Sequence, residues 1–146
     1  MQFTFSYTLD RSRAEVWRAF DSVDNMKKWQ PTLVGFDRIS GTPGQPGAVS
    51  RLTYEEGGRS VILTETITLR REPEEFAGRY DSAMGTSAIR NRFEALSPTS
   101  TRWDVTSDFE FRGLWRLLAP FLRGMIRKRT GTDLERFKSM LESSQL

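Results

Sequence analysis

Apolar and polar residues alternate with period two along most of this chain, and with a helical period near both ends. Phe3, Phe5, Tyr7 and Leu9 alternate with Gln2, Thr4, Ser6 and Thr8, which predicts a half-buried strand. Asp10-Arg11-Ser12 stops it. Ser12 and Glu15 have the spacing of a capping box, so a helix follows that buries Val16, Trp17 and Phe20. A second short helix is predicted over Val23 to Trp29, ending ahead of Pro31, because the residue before a proline disfavours helical backbone. The middle of the chain, from Thr32 to Gly113, then reads as strands Leu33–Ile39, Ala48–Glu55, Ser60–Arg70, Glu75–Ser82, Ser87–Leu96 and Arg102–Phe111. Between them stand a Gly- and Pro-rich loop (Gly41–Gly47) and turns at Glu56-Gly57-Gly58, Glu72-Pro73-Glu74, Met84-Gly85 and Ser97-Pro98-Thr99. Turns this short imply an antiparallel meander.

The tail is helical. Leu114, Leu118, Phe121 and Met125, then Leu134, Phe137 and Leu141, follow helical spacing. Pro120 is expected to kink this helix, and Gly124 and Gly131 to loosen it. Its first half is apolar over more than one stripe, through Leu114, Trp115, Leu117, Leu118, Phe121 and Leu122. That half is therefore expected either to be deeply buried or to face something apolar. A curved antiparallel sheet ending in a long helix can wrap around that helix and leave a cavity between the two.

Length and composition fit this reading. The 146 residues suffice for one domain spanning 1–146, and no linker or repeat divides them. Neither cysteine nor histidine occurs, which excludes disulfides, thiolate nucleophiles, Cys/His zinc sites and histidine-based triads. An acid–base group must then be Asp, Glu, Tyr, Lys or Arg. Carboxylates are scattered, so no metal and no cofactor is expected. There is no signal-peptide pattern and no run long enough to span a bilayer, so a cytoplasmic protein is expected. Net charge is +3, with Arg112, Arg116, Arg123, Arg127, Lys128 and Arg129 forming a basic stretch free of acids. Such a stretch is a solvated helix face or a site for anionic partners.

A strand, two short helices, a six-stranded meander and a long terminal helix resemble the helix-grip fold of the START-like (SRPBCC) superfamily, its bacterial polyketide cyclase/dehydrase-like members in particular. The resemblance is carried by Arg13-Ala-Glu-Val-Trp-Arg-Ala-Phe20, Met26-Lys-Lys-Trp29, Leu69-Arg-Arg-Glu-Pro73, Leu114-Trp-Arg-Leu-Leu-Ala-Pro120 and Asp133-Leu-Glu-Arg-Phe-Lys138. It implies an α+β fold, with a curved antiparallel sheet of about seven strands wrapped around the C-terminal helix. It also implies an apolar cavity that binds lipids, sterols, polyketides or similar molecules; a minority of such proteins catalyse cyclisation, dehydration or hydrolysis there.

Several strand faces are apolar with one polar interruption. Glu65 interrupts Val61, Leu63, Ile67 and Leu69; Asn91 stands between Ile89 and Phe93; Ser107 interrupts Trp103, Val105, Phe109 and Phe111; Tyr80 ends the series Phe76, Gly78. At similar depth these would form a polar layer in an apolar pocket, the pattern of an oriented ligand site. Glu65, Tyr80, Asn91 and Ser107 are the expected anchors, and Phe93, Trp103, Phe109, Leu118 and Phe121 the expected walls. Glu65 and Tyr80 are the candidate catalytic groups, since burial raises a carboxyl's pKa. Equally, Glu65 can face solvent, or be tied to Tyr80 or Asn91 in a structural hydrogen bond. Only one of Arg51 and Tyr54 can point inward. The leading function is binding of a hydrophobic small molecule. The alternatives are an enzyme on an aromatic or polyketide-like substrate, and a basic amphipathic module on a membrane surface. Nucleic acid is not an expected partner, and the chain is expected to be a monomer or a homodimer.

Overall fold

The computed structural model describes residues 1–146. Strand β1 (Gln2–Leu9) leads into helices α1 (Arg13–Phe20) and α2 (Val23–Trp29). Strands β2 (Leu33–Ser40), β3 (Val49–Glu56), β4 (Arg59–Arg71), β5 (Glu75–Asp81), β6 (Gly85–Ser97) and β7 (Ser100–Phe111) follow, and helix α3 (Trp115–Glu142) closes the chain. All seven strands form one antiparallel sheet in the order β1-β7-β6-β5-β4-β3-β2. This is the expected START-like helix-grip architecture.

Local chemistry explains the boundaries. The Ser12 hydroxyl accepts from the Glu15 amide at 3.2 Å and donates to the Glu15 carboxylate at 2.9 Å, which starts α1. The Ser22 hydroxyl accepts from the Asn25 amide at 3.2 Å and caps α2. β6 begins at Gly85, two residues earlier than the alternation suggests. The β5–β6 turn closes between Ser82 and Gly85, and Gly85 has φ +153°, where a Cβ would overlap the Glu110 carbonyl oxygen.

The core gathers at one end of the sheet. Leu9, Val16, Trp17, Trp29, Phe93, Trp103, Leu134, Phe137 and Leu141 form one buried cluster. Phe137 on α3 is its centre, with ring centroids 4.9 Å from Trp103, 5.4 Å from Trp29 and 6.2 Å from Phe20. Such aromatic pairs add roughly 0.5–1.5 kcal/mol each beyond the area they bury. The indole nitrogens of Trp17 and Trp29 are buried without an acceptor, an opposing cost of about 1–3 kcal/mol each.

The convex face is ionic. Glu75 is enclosed by Arg90 at 2.5 Å, Arg71 at 2.7 Å and Arg92 at 3.6 Å, and only 1% of its side chain is exposed. The hydrogen bond from Arg90 holds its pKa below the ordinary carboxylate value. Arg90 and Arg92 thus pair outward, as their alternation implies, with Glu75 as the shared partner.

Helix α3 continues through Pro120, which sits in its second turn. The two halves of α3 differ. The second half buries Leu134, Phe137 and Leu141, whereas Leu118 and Phe121 in the first half are 47% and 81% exposed. Burial of the Leu114–Leu122 face, and with it Leu118 and Phe121 as cavity walls, is not what the structure has. The reason is helical phase. Met125 and Leu134 are nine residues apart, two and a half turns at ~3.6 residues per turn, so the two apolar series lie on opposite sides of the helix.

Phe137→Ala is expected to destabilise the protein by about 3–5 kcal/mol, as deletion of a fully buried aromatic does. Urea unfolding of variant and parent measures this, and a loss below ~1 kcal/mol would remove Phe137 from the centre of the core.

Candidate functional site

Two-residue hairpins set the register of the concave face. The Gly57-Gly58 turn pairs Glu56 with Arg59, and counting back places Ser50 opposite Glu65. Glu65 lies opposite Tyr80, and Tyr80 opposite Ser87. Ser50, Glu65, Tyr80 and Ser87 therefore form one straight row across β3, β4, β5 and β6. Ser107 on β7 joins it through a contact of 3.2 Å between its hydroxyl and that of Ser87. On the apolar side of the row, Phe109 faces Ser87 and is half-buried, with its ring 4.5 Å from that of Phe111.

This row is a polar layer, but its membership differs from expectation. Asn91 stands four residues further along β6 than Ser87, opposite Phe76 and Val105. Its side-chain oxygen accepts from the Trp103 indole at 3.1 Å, and its amide nitrogen donates to the Phe76 carbonyl at 3.4 Å. Asn91 thus satisfies core groups. Phe93 and Trp103, 3% and 0% exposed, are packed in the same core. Ser50 and Ser87 take their place. The position of Ser50 was legible in principle, because a two-residue Gly-Gly turn fixes the β3–β4 register; that of Ser87 was not, since the β5–β6 register depends on a turn centred one residue earlier than alternation alone implies.

Glu65 is 6% exposed and faces inward, not to solvent. It has no cationic partner among the ion pairs of the chain. Desolvation raises its pKa above the ordinary 4.5, and the neighbouring Tyr80 hydroxyl offsets part of that rise by favouring the carboxylate. Burial, and then the Glu65 charge, hold the Tyr80 phenol well above its ordinary value, so Tyr80 stays a hydrogen-bond donor at neutral pH. Gly78 makes room for it: a Cβ there would lie 3.1–3.3 Å from the end of the Tyr80 ring, which folds back over the glycine.

Tyr54, and not Arg51, points inward. Its hydroxyl donates to Gln30 at 2.7 Å, and burial raises its pKa, with Glu65 and Asp133 adding to the rise. Asp133 brings α3 to this site. Burial raises its pKa too, against the pull of Arg136 at 2.8 Å and Arg129 at 3.9 Å. Arg129 also pairs with Glu56 and donates to Thr32, which fastens the middle of α3 to the β3 side of the sheet. By helical phase, the α3 residues turned towards the sheet in its first half are Ala119, Leu122 and Ile126. These are half-buried.

The arrangement is one of hydroxyls and one proton-binding carboxyl along a wall that is otherwise apolar. It can hold the polar end of an apolar molecule, donating from Tyr80 or the serines and donating or accepting at Glu65. No cluster of Asp or Glu is placed to hold a metal ion. No helix is long and apolar enough to cross a membrane. Two surface hollows lie elsewhere, one at the β3–β4 hairpin and one between Phe5 and the Gly124–Glu135 part of α3.

The raised pKa of Glu65 has a consequence for stability. The folded protein holds this proton more tightly than the unfolded chain, so the contribution is complete below the ordinary value of 4.5 and is lost as pH rises through the raised one. Glu65→Gln removes the buried charge. The variant is expected to be more stable than the parent at neutral pH, with the gap closing below about pH 4.5. Urea midpoints of both proteins across this range measure it, and a parent more stable at neutral pH would contradict a desolvated Glu65.

Known proteins of this architecture include the Zhui aromatase/cyclase from Streptomyces sp. R1128, with a TM-score of 0.82 at 17% identity over 97% of this chain and 93% of that one. A START superfamily protein from Mycobacterium smegmatis gives 0.71 at 19% identity over 98% and 95%. The protein TTHA0849 from Thermus thermophilus gives 0.80 at 11% identity over the whole of both chains. Identities this low speak to fold alone. Comparison with curated proteins gives no match. The sequence profile of one family, described as polyketide cyclase / dehydrase and lipid transport, matches residues 1–142. The chain belongs to that polyketide cyclase / dehydrase and lipid transport family.

Proposed function

We propose that this protein binds a hydrophobic small molecule, lipid- or polyketide-like, between the concave face of the sheet and the first half of α3. The observation that carries the reading is the row Ser50–Glu65–Tyr80–Ser87, polar and unpaired with any cation, set where the packed core gives way to half-buried apolar positions. Polar groups are costly at such a place unless they are satisfied, and a ligand's hydroxyl, carbonyl or protonated carboxyl supplies a partner. Leu63, Phe109, Leu122 and Ile126 supply the apolar contact. The family's association with lipid transport and with cyclase chemistry supports the same ligand class.

One observation favours a second reading, an enzyme acting on such a ligand. Glu65 has a pKa raised by burial and lies beside a phenol that keeps its proton, an acid–donor pair suited to proton transfer without histidine. In that reading Glu65 moves the proton and Tyr80 holds the reacting oxygen.

Native mass spectrometry of the purified protein, with organic extraction of whatever is bound, tests the binding reading, together with titration of a fluorescent fatty acid. Saturable one-to-one binding is expected. Tyr80→Phe and Glu65→Gln are each expected to weaken it about tenfold, the worth of one hydrogen bond to a buried partner. Binding that both variants leave unchanged would remove the row from the ligand site. Turnover of a polyketide-like substrate lost in Glu65→Gln, with binding retained, would establish the enzymatic reading.

A further inference from the structure

Helix α3 presents a second apolar face that the fold does not use. Leu114, Leu117, Phe121 and Met125 are 81%, 74%, 81% and 62% exposed. They follow one another at helical spacing, on the side of α3 away from Leu134 and Phe137. Scattered apolar residues on a surface are ordinary, but a continuous stripe of this kind marks an interaction site.

Its charge identifies the partner. Between Phe111 and Thr132 there are six basic residues and no acidic one. Arg129 alone among them pairs with an acid, through Glu56 and Asp133. Arg123 and Lys128 are exposed. A second copy of this chain docked stripe against stripe would bring two such segments together with no acid between them, so self-association is opposed by like charge. An apolar stripe within a basic, acid-free segment fits a surface that is apolar beneath and anionic above. Trp115 at the start of the helix, and an N-terminus without a side-chain cap, leave that end free to adapt.

We infer that the first half of α3 lies in the headgroup layer of an anionic lipid bilayer, with Leu114, Leu117, Phe121 and Met125 inserted and the surrounding Arg and Lys side chains at the phosphates. The opposite side of the same half-helix carries Leu122 and Ile126. Docking therefore brings the half-buried end of the sheet–helix interior to the membrane, where an apolar molecule can pass between the two. That last step rests on the binding reading above; the docking does not.

Flotation with vesicles tests it, using the full chain without added ligand. Vesicles of phosphatidylcholine alone are compared with vesicles containing about one-third phosphatidylglycerol. Binding to the anionic vesicles is expected, at least about tenfold weaker on neutral vesicles and at high salt. Leu117→Ser/Phe121→Ser and Arg123→Glu/Lys128→Glu are each expected to lower it at least about fivefold, with unfolding midpoints little changed because these side chains are exposed. Absence of binding to anionic vesicles at low salt, or binding indifferent to the Leu117/Phe121 variant, would overturn the proposal. So would a dimer in light scattering that Leu117→Ser/Phe121→Ser dissociates while vesicles are ignored, which assigns the stripe to a second copy. Failure of fatty-acid binding with vesicle binding intact would count against the ligand site and leave the docking face standing.

Discussion

The structure depends on the packing of Phe137 against Trp103, Trp29 and Phe20. That contact joins the C-terminal half of α3 to β7, to α2 and to α1, and so links elements more than a hundred residues apart in the chain. It holds the sheet curved around the helix at one end. Asn91 and Trp103 complete it with a hydrogen bond inside the core. Because the aromatic rings fill that end, little is left to cover the other. α3 passes from a fully packed segment to one in which Leu114, Leu117, Phe121 and Met125 face outward.

The site follows from this asymmetry. At the packed end polar groups are few, and Asn91 serves both the Trp103 indole and the Phe76 carbonyl. A little further along the same strands, Ser50, Glu65, Tyr80 and Ser87 stand in a row with no cation and with half-buried neighbours. Glu65 carries a buried carboxyl beside the Tyr80 hydroxyl, and Gly78 lets the Tyr80 ring fold back over the strand. The acids that do meet cations are not members of this row. Glu75 takes three arginines on the convex face, and Asp133 takes two at the middle of α3. Charge is thus sorted between the outside of the sheet and its hollow side.

The fold was legible because its signals are local. Period-two strands, the Ser12–Glu15 cap and the Gly57-Gly58 turn each act over a few residues, and the structure agrees with them almost residue for residue. Glu65 and Tyr80 were legible as inward positions for the same reason. Asn91 was misplaced because depth across a sheet depends on register, and register depends on where the Ser82–Gly85 turn closes. A one-residue difference in the centre of that turn moves a partner by two positions. Leu118 and Phe121 were misplaced through a non-local assumption, that every apolar face of a long helix turns to the same core. The nine-residue gap between Met125 and Leu134 already reversed the phase. Ser50 and Ser87 carry no signal of their own, since serine on a strand face is ordinary until its cross-strand neighbours are known.

The central claim is that α3 is held by packing in its second half and not in its first. Amide hydrogen exchange of the native protein, resolved along α3, measures this directly. The account predicts amides from Leu134 to Leu141 protected to near the global unfolding free energy. Those from Leu117 to Met125 should exchange at least about a thousandfold faster, through local opening. Equal protection along the whole helix would contradict it, since it would mean that the first half is anchored by contacts as extensive as those of Phe137.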